Sequence, residues 1–250
     1  MPQGVEHRGL FFSGTDTGVG KTVVTAAVAR LLRRQGRPVR VCKPVATGAE
    51  WHSGRWLSED TRLLASAAGM EEELDRVTPW SFPAAAAPPV AARLAGASLG
   101  LADLLAAVHA CARPESAMLV EGVGGLLCPL TERETVADLV RLLALRLVLV
   151  ARRSLGTLGH TLMAVEVAAG RGLPLAGVVV SETVPPSGPA DETNVEELRR
   201  RLDVPLLAVI PHGGTGESAA DAVAAVDWWR LCEGQTAAPS PLSPISEERW

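Results

Sequence analysis

The chain has 250 residues, of which 47% are apolar and 21% charged, so it can form a substantial core and extensive disorder is not expected. Its net charge of −4 argues against the broad basic surface of a dedicated nucleic-acid binder. No apolar stretch reaches the roughly 18 residues of a membrane span, and residues 1–8 lack the apolar run of a signal peptide, so we expect a cytoplasmic protein that does not act at a membrane.

Two kinds of apolar segment alternate along the chain. Short runs rich in Val, Leu and Ile predict strands at 10–13, 39–42, 117–120, 145–151, 175–180 and 206–210. Longer periodic segments predict helices at 21–35, 59–68, 90–94, 101–112, 136–144, 158–169, 195–202 and 219–231. This alternation predicts an α/β fold in which a mostly parallel sheet is flanked by helices on both faces.

One domain accounts for the whole predicted pattern, over residues 9–233. Residues 1–8 are predicted to be an N-terminal extension, and the proline-containing stretch 234–250 a flexible C-terminal tail. The four cysteines and five histidines show no ligand spacing, so no zinc site is expected.

Lysine is rare in this chain. Of the 24 basic residues only Lys21 and Lys43 are lysines, so arginine supplies almost all of the positive charge. An excess of arginine can follow from base composition alone. Both remaining lysines nevertheless fall in segments that can handle phosphate, where a compact ammonium differs from a planar guanidinium.

The first of these segments is Gly14–Thr22, with the sequence GTDTGVGKT between a predicted strand and a predicted helix. This context is typical of a P-loop, in which glycines let main-chain N–H groups surround phosphate oxygens. Lys21 can reach the β- and γ-phosphates, and the hydroxyl of Thr22 can bind Mg²⁺. The first glycine is one residue further from the lysine than in GxxxxGK[ST], so the sequence predicts a variant P-loop NTPase.

Charged residues also follow other predicted strands, whose carboxyl ends are where ligands gather in such folds. Lys43 begins the segment KPVATG and can stand beside the γ-phosphate, although a surface lysine in a turn is the alternative. Asp60 begins a helix, where capping is the alternative role. Glu121 ends a buried strand, where an unpaired carboxylate is costly, so we expect it to face Mg²⁺ or a cation.

Taken in chain order, the segments GTDTGVGKT, KPVATG, SED, VEGVGG and SLGTLGHT resemble those of the dethiobiotin synthetases, over roughly residues 9–212. The resemblance implies a homodimeric ligase of biotin biosynthesis that needs ATP and Mg²⁺, with other nucleoside triphosphates left open. CO₂ would add to an amine of 7,8-diaminononanoate to give a carbamate, and the γ-phosphate of ATP would activate it as a mixed anhydride. The neighbouring amine would then close the ring and release phosphate.

The same resemblance implies a role for each matching residue. Lys43 and Lys21 would be catalytic, and Thr22, Asp60 and Glu121 would organise Mg²⁺. Thr47 would contact the substrate, while Leu155, Gly156 and Thr157 would hold its distant carboxylate, partly across the dimer interface. The nucleotide would be bound by Thr17, Gly18, Val19, Gly20, Lys21, Thr22, Val23, Asp60, Glu121, Gly122, Val123, Gly124, Ser181, Glu182, Pro211, His212 and Gly213.

Three departures from the family pattern bear on specificity. Gly18 stands where some members have an acidic residue, and Gly159 replaces a common asparagine. Ser181 and Glu182 stand where Asn-Asp often reads the adenine ring. Because serine lacks the paired donor and acceptor of an amide, we expect looser discrimination among nucleoside triphosphates.

Other proteins of similar fold must be weighed as alternatives. An ATP-driven switch of the partitioning type carries a further lysine five residues before the loop lysine, and here that position is Asp16. An amide-forming synthetase for a larger cofactor precursor carries an added glutamine-hydrolysing domain, for which too little sequence follows the last strand. A non-catalytic regulatory relative is disfavoured because Lys21, Lys43 and the three residues expected to bind Mg²⁺ are all present.

Overall fold

A computed structural model describes residues 8–234, and the elements within this range confirm an α/β fold. In chain order they are β1 (Gly9–Gly14), α1 (Lys21–Arg34), β2 (Val39–Cys42), β3 (Val45–Thr47), β4 (Glu50–His52), β5 (Arg55–Leu57), α2 (Glu59–Ala68), a 3-10 helix (Glu71–Glu73), α3 (Leu74–Val77), β6 (Trp80–Phe82), α4 (Pro88–Leu94), α5 (Leu101–Cys111), β7 (Ala117–Gly125), α6 (Val136–Leu143), β8 (Arg146–Arg152), α7 (Thr157–Gly170), β9 (Leu175–Ser181), α8 (Pro189–Arg201), β10 (Leu206–Ile210), α9 (Gly216–Ala222) and α10 (Trp228–Glu233).

Six strands form the central sheet in the order β10-β9-β8-β1-β7-β2, and every pairing in it is parallel. The central strand β1 is buried along its whole length, because its residues Leu10, Phe11 and Phe12 lie beneath the flanking helices. Parallel strands that are covered on both faces have continuous apolar sequences, which is why these strands could be predicted. All six carboxyl ends consequently lie at one edge of the sheet.

Two smaller sheets were not predicted from the sequence. Strands β3 and β6 pair in parallel, and β4 and β5 form an antiparallel hairpin. Each of these strands has only three residues, which is too short for an alternating pattern to be recognised.

The predicted closing helix over residues 219–231 is wrong, because the chain forms α9 and α10 separated by a turn. Thr215 starts α9 early by pairing with Ser218, and the side chain of Asp227 caps the start of α10 by accepting from the N–H of Arg230 at 3.0 Å. Helix α8 also begins six residues before the predicted position, since Pro189 is favoured at the first turn of a helix.

Only Arg8 and Gly234 of the predicted extension (1–8) and tail (234–250) belong to the described residues, so both predictions lie almost wholly outside them. Within the described part of the chain, no helix combines the length and apolar character needed to cross a membrane. Three of the four cysteines are buried, in line with their expected role as small apolar residues.

Helix α10 is attached to the central strand through Trp228. Its ring centroid lies 6.4 Å from that of Phe12, and its indole N–H donates to the carbonyl of Val223 at 2.8 Å. Its neighbour Trp229 is only partly buried and stacks against the guanidinium groups of Arg8 and Arg37.

We therefore expect Trp228→Ala to lower the free energy of unfolding by about 3–5 kcal/mol, because it leaves a large cavity against β1. Trp229→Ala is the matched control and should cost less, about 1–2 kcal/mol, since it removes two partly exposed cation–π contacts and packing at the edge of the core but leaves no buried cavity. Urea unfolding followed by circular dichroism measures both values. Equal losses in the two variants would contradict this account of the core.

Candidate functional site

The loop between β1 and α1 has the geometry expected of a P-loop. Gly18 and Gly20 have φ angles of 71° and 89°, in the left-handed region that favours glycine. A Cβ atom at Gly14 would lie 2.9 Å from the Nζ of Lys21, so this position also requires glycine. No side chain caps the start of α1, so its first N–H groups are available to an anion.

Lys21 is the first residue of α1, and its ammonium is buried. Its Nζ donates to the main-chain carbonyl of Asp16 at 3.1 Å, which fixes the lysine against the loop. Burial lowers the pKa of Lys21, and the nearby Lys43 lowers it further, while Glu121 and Asp60 offset part of the effect. Two buried ammonium groups close to one another make this region a favourable place for an anion.

Lys43 follows β2 directly and contacts two carboxylates. Its Nζ donates to Oε1 of Glu121 at 2.8 Å and forms a short contact with Oδ2 of Asp60. Burial alone would lower the pKa of Lys43, but these two carboxylates outweigh it, and the pKa is raised above its ordinary value. The side chain therefore remains an ammonium at neutral pH.

Glu121 lies within β7, paired with Phe12 of β1, and is 1% exposed. Its Oε1 accepts hydrogen bonds from the hydroxyl of Thr22 at 2.8 Å and from Lys43, whereas its buried Oε2 has no partner. This unpartnered oxygen and the hydroxyl of Thr22 are the hard donors that Mg²⁺ prefers.

Asp60 is the second residue of α2, but it does not cap this helix. Ser58 is the N-cap, accepting from the N–H of Thr61 at 3.1 Å. Burial would raise the pKa of Asp60, but the ammonium of Lys43 reverses the effect and holds the pKa below its usual value. Its carboxylate is therefore ionised and faces the cleft.

A cleft of about 940 Å³ runs along the carboxyl edge of the sheet and brings most of the predicted residues together. Those that line it are Thr17, Gly18, Gly20, Lys21, Thr22, Val23, Lys43, Thr47, Asp60, Val123, Gly124, Ser181, Glu182, Pro211, His212 and Gly213. It is also lined by Glu59, Arg62, Leu63, Thr183, Ile210, Gly214 and Thr215, which the sequence reasoning missed. Most of these directly adjoin a predicted position, which is the signal that could have found them.

Several predicted residues lie outside this lining. Val19 is fully buried, Glu121 lies beneath the surface with its Oε1 bonded to Thr22, and a Cβ at Gly122 would meet the ring of Phe11 at 2.9 Å. Leu155, Gly156 and Thr157 lie at the start of α7, where Leu155 is 83% exposed and Thr157 is buried. The contact of Leu155, Gly156 and Thr157 with the substrate therefore stays a prediction.

Known proteins resemble this chain over most of its length. Residues 8–215 match the model of an AAA-domain family. The ATP-dependent dethiobiotin synthetase BioD of Aromatoleum aromaticum is 44% identical over 207 residues, which are 83% of this chain and 92% of the relative. Its counterpart in Bacillus subtilis is 35% identical over 204 residues, 82% and 87% of the two chains. This chain belongs to the dethiobiotin synthetase family. It is accordingly a ligase.

A solved structure supports the fold alone. The ParA family ATPase of Chlorobium tepidum superposes with a TM-score of 0.51 over 91% of this chain and 97% of the other, at 13% identity. The fold is thus shared with an ATPase of the ParA family, and the fold by itself does not decide the function.

The residues at the other end of the cleft lie at the carboxyl ends of β9 and β10 or directly after them. Ser181 lies under the P-loop, so close that a Cβ added at Gly20 would be 2.4 Å from its Oγ. Glu182 accepts from the main-chain N–H of His212 at 3.0 Å and pairs with Arg153. The two positions expected to read the base therefore carry the small hydroxyl of Ser181 and the carboxylate of Glu182, which is already paired with Arg153.

We expect Gly20→Ala to weaken the binding of ATP by about tenfold or more, because the added methyl group displaces either Ser181 or the loop. Gly18→Ala is the matched control, since Gly18 has a similar φ angle but nothing within 4 Å of the position of its Cβ. It should show only the smaller cost of left-handed alanine. Isothermal titration of both variants gives the comparison, and equal losses would contradict a steric role for Ser181.

Proposed function

We propose that this ligase makes dethiobiotin from 7,8-diaminononanoate, CO₂ and ATP, with Mg²⁺. The observation that carries the proposal is the placement of Lys21 and Lys43 together on the wall of the cleft, where Lys43 is bonded both to Asp60 and to Glu121 buried beneath it. Phosphoryl transfer between two anions needs positive charge and positioning more than a covalent catalyst. The arrangement supports that chemistry.

In the proposed reaction, an amine of the substrate adds CO₂ to form a carbamate and loses a proton. The carbamate oxygen then takes the γ-phosphoryl group of ATP, which releases ADP and leaves a carbamic-phosphoric mixed anhydride. The second amine attacks the carbonyl carbon, closing the ring and expelling phosphate. Lys43 would contact both the carbamate and the γ-phosphate, and Lys21 the β- and γ-phosphates, so their ammonium groups offset the charge that the two anions bring together.

Thr22, Asp60 and Glu121 would hold Mg²⁺. No group of three His, Cys, Asp or Glu side chains suited to a metal occurs among residues 8–234, but Mg²⁺ in nucleotide enzymes commonly uses one or two carboxylates together with the phosphates. The unpartnered Oε2 of Glu121 fits this donor set. When bound, Mg²⁺ would neutralise part of the charge on the β- and γ-phosphate oxygens.

The remaining predicted roles follow the layout of the cleft. Thr47, on its wall near Lys43 and Asp60, would contact the diamine end of the substrate. The base and ribose would lie near Ser181, Glu182 and the segment 211–213, whereas Val123 and Gly124 would lie against the phosphates.

A homodimer is part of the proposal, and α7 supports it. Only Thr157, Thr161 and Ala168 of this 14-residue helix are buried, although its sequence is largely apolar. Met163 is 59% exposed, and Leu155, just before the helix, is more exposed still. The predicted role of Leu155, Gly156 and Thr157 across a dimer interface would likewise need a second copy near the start of α7.

The proposal is tested by incubating the pure protein with diaminononanoate, bicarbonate, Mg²⁺ and ATP. We expect dethiobiotin and ADP in equal amounts. Hydrolysis of ATP without ring product would favour the partitioning-type switch instead.

In the same assay, Lys43→Ala should lower kcat by about 100-fold or more, because a charge that stabilises the transition state is removed. Arg40→Ala is the matched control on the same strand, where Arg40 pairs with Glu73 away from the cleft, and it should retain activity. Because Lys43→Ala leaves Glu121 unpaired, its folding must be checked by circular dichroism. A folded Lys43→Ala with near-normal turnover would remove Lys43 from the mechanism.

The nucleotide preference gives a separate prediction. Since Ser181 cannot offer an amide's paired donor and acceptor, kcat/KM should differ by less than about 100-fold among ATP, GTP, CTP and UTP, whereas sites built to hydrogen-bond one substrate discriminate far more strongly. The measurement is steady-state kinetics with each nucleotide at saturating diaminononanoate. Strong selectivity for ATP would refute it.

A further inference from the structure

Glu182 occupies an unusual position at the end of the cleft that is distant from Lys43. It follows β9, its side chain is only 9% exposed, and both of its carboxylate oxygens are engaged. Oε1 pairs with the guanidinium of Arg153, and Oε2 accepts from the main-chain N–H of His212 at 3.0 Å. The N–H of Glu182 itself donates to the carbonyl of Ile210 at 3.0 Å. This one residue therefore bonds twice to the chain that leaves β10.

Arg153 is in turn held in place by the main chain. Its N–H donates to the carbonyl of Ser181 at 3.0 Å, and its guanidinium also contacts the carbonyl of Asp191. The ion pair thus connects the chain after β8 with the chain after β9, and Glu182 extends the connection to the chain after β10. These three strands are neighbours in the sheet.

The segment fixed in this way forms a wall of the cleft. Residues 210–215 all line it. Ile210 is the last residue of β10, and residues 211–215 have no regular structure until α9 begins at Gly216. Within this segment the N–H of Gly214 donates to the carbonyl of Pro211 at 3.0 Å, which closes a turn. The bond from the N–H of His212 to Glu182 ties this turn to a partly buried charge pair.

We propose that Glu182 is a positioning residue that holds the turn 211–214 against the nucleoside, rather than a residue that reads the base. Its carboxylate is neutralised by Arg153 and occupied by His212, so the main chain of the turn and the hydroxyl of Ser181 are left to contact the base. The inference rests on the proposed function, in which the P-loop binds the phosphates of ATP. It differs from the expectation that the Ser181-Glu182 pair itself reads the ring.

A purely structural ion pair must be distinguished from a positioning role, and two ligands allow this. Inorganic tripolyphosphate can occupy the P-loop end of the cleft, but it has no nucleoside to contact the turn. ATP has both parts. Loss of the contact between Glu182 and the turn 211–214 should therefore weaken the binding of ATP and leave the affinity for tripolyphosphate unchanged. General loosening of the fold should weaken the binding of both ligands.

The experiment is isothermal titration of Mg²⁺-ATP and Mg²⁺-tripolyphosphate into the full chain and its Glu182→Ala variant. We expect the variant to bind ATP about tenfold more weakly and tripolyphosphate equally well. In turnover, KM for ATP should rise about tenfold while kcat and KM for diaminononanoate hold, because the reacting groups lie at the other end of the cleft.

Two further variants make the result decisive. Glu73→Ala removes the bidentate ion pair with Arg40, far from the cleft, and should lower stability without changing either affinity. Arg153→Gln keeps a donor for Glu182 and should weaken ATP less than Glu182→Ala does; it also serves as the test if Glu182→Ala does not fold.

Equal weakening of both ligands in Glu182→Ala, or no change in either, would overturn the positioning role while leaving the proposed function intact. A wild-type protein that binds neither ligand would overturn the proposed function, and this inference with it.

Discussion

The site depends on one buried cluster of charges, in which the ammonium of Lys43 lies between the carboxylates of Glu121 and Asp60. A buried ion without a partner costs several kcal/mol, so Lys43 and Glu121, whose side chains are both buried, depend on one another, while the carboxylate of Asp60 is 43% exposed. The pairing raises the pKa of Lys43 and lowers that of Asp60, so both stay charged. An ammonium has three N–H donors, and two carboxylates engage only part of that capacity. The cluster is stable and still able to bind a further anion.

The sheet register explains why the cluster forms. Cys42 at the end of β2 pairs with Val120 of β7, so the next residues, Lys43 and Glu121, emerge at the same level. Strand β1 pairs with β7 on its other side and leads into the P-loop, which brings Thr22 to the same carboxylate. Adjacent parallel strands thereby place residues from three distant parts of the sequence within hydrogen-bond distance.

The end of the site near Lys21 and Lys43 could be predicted from the sequence because each of its residues is recognisable from the residues next to it. A glycine-rich loop before a helix, a lysine after one strand and a glutamate that follows an apolar run each signal their chemistry separately, although Glu121 lies in the middle of β7 and not at its end as expected. The contacts of Glu182 could not be predicted, because they depend on how the chains leaving three neighbouring strands lie beside one another. The break between α9 and α10 was missed for a similar reason: apolar periodicity continues across it, and only the caps at Thr215 and Asp227 mark it.

The two ends of the cleft are consequently built on different principles. The end near Lys21 and Lys43 uses charged side chains, and removing either Lys43 or Glu121 leaves a buried charge without its ion-pair partner. The end near Glu182 uses a buried ion pair to hold main chain in place, and main-chain groups are the same whatever the residue. Serine in place of asparagine at position 181 can therefore be tolerated without loss of the fold. Substitutions at this end of the cleft can change the nucleotide preference at the smallest cost in stability.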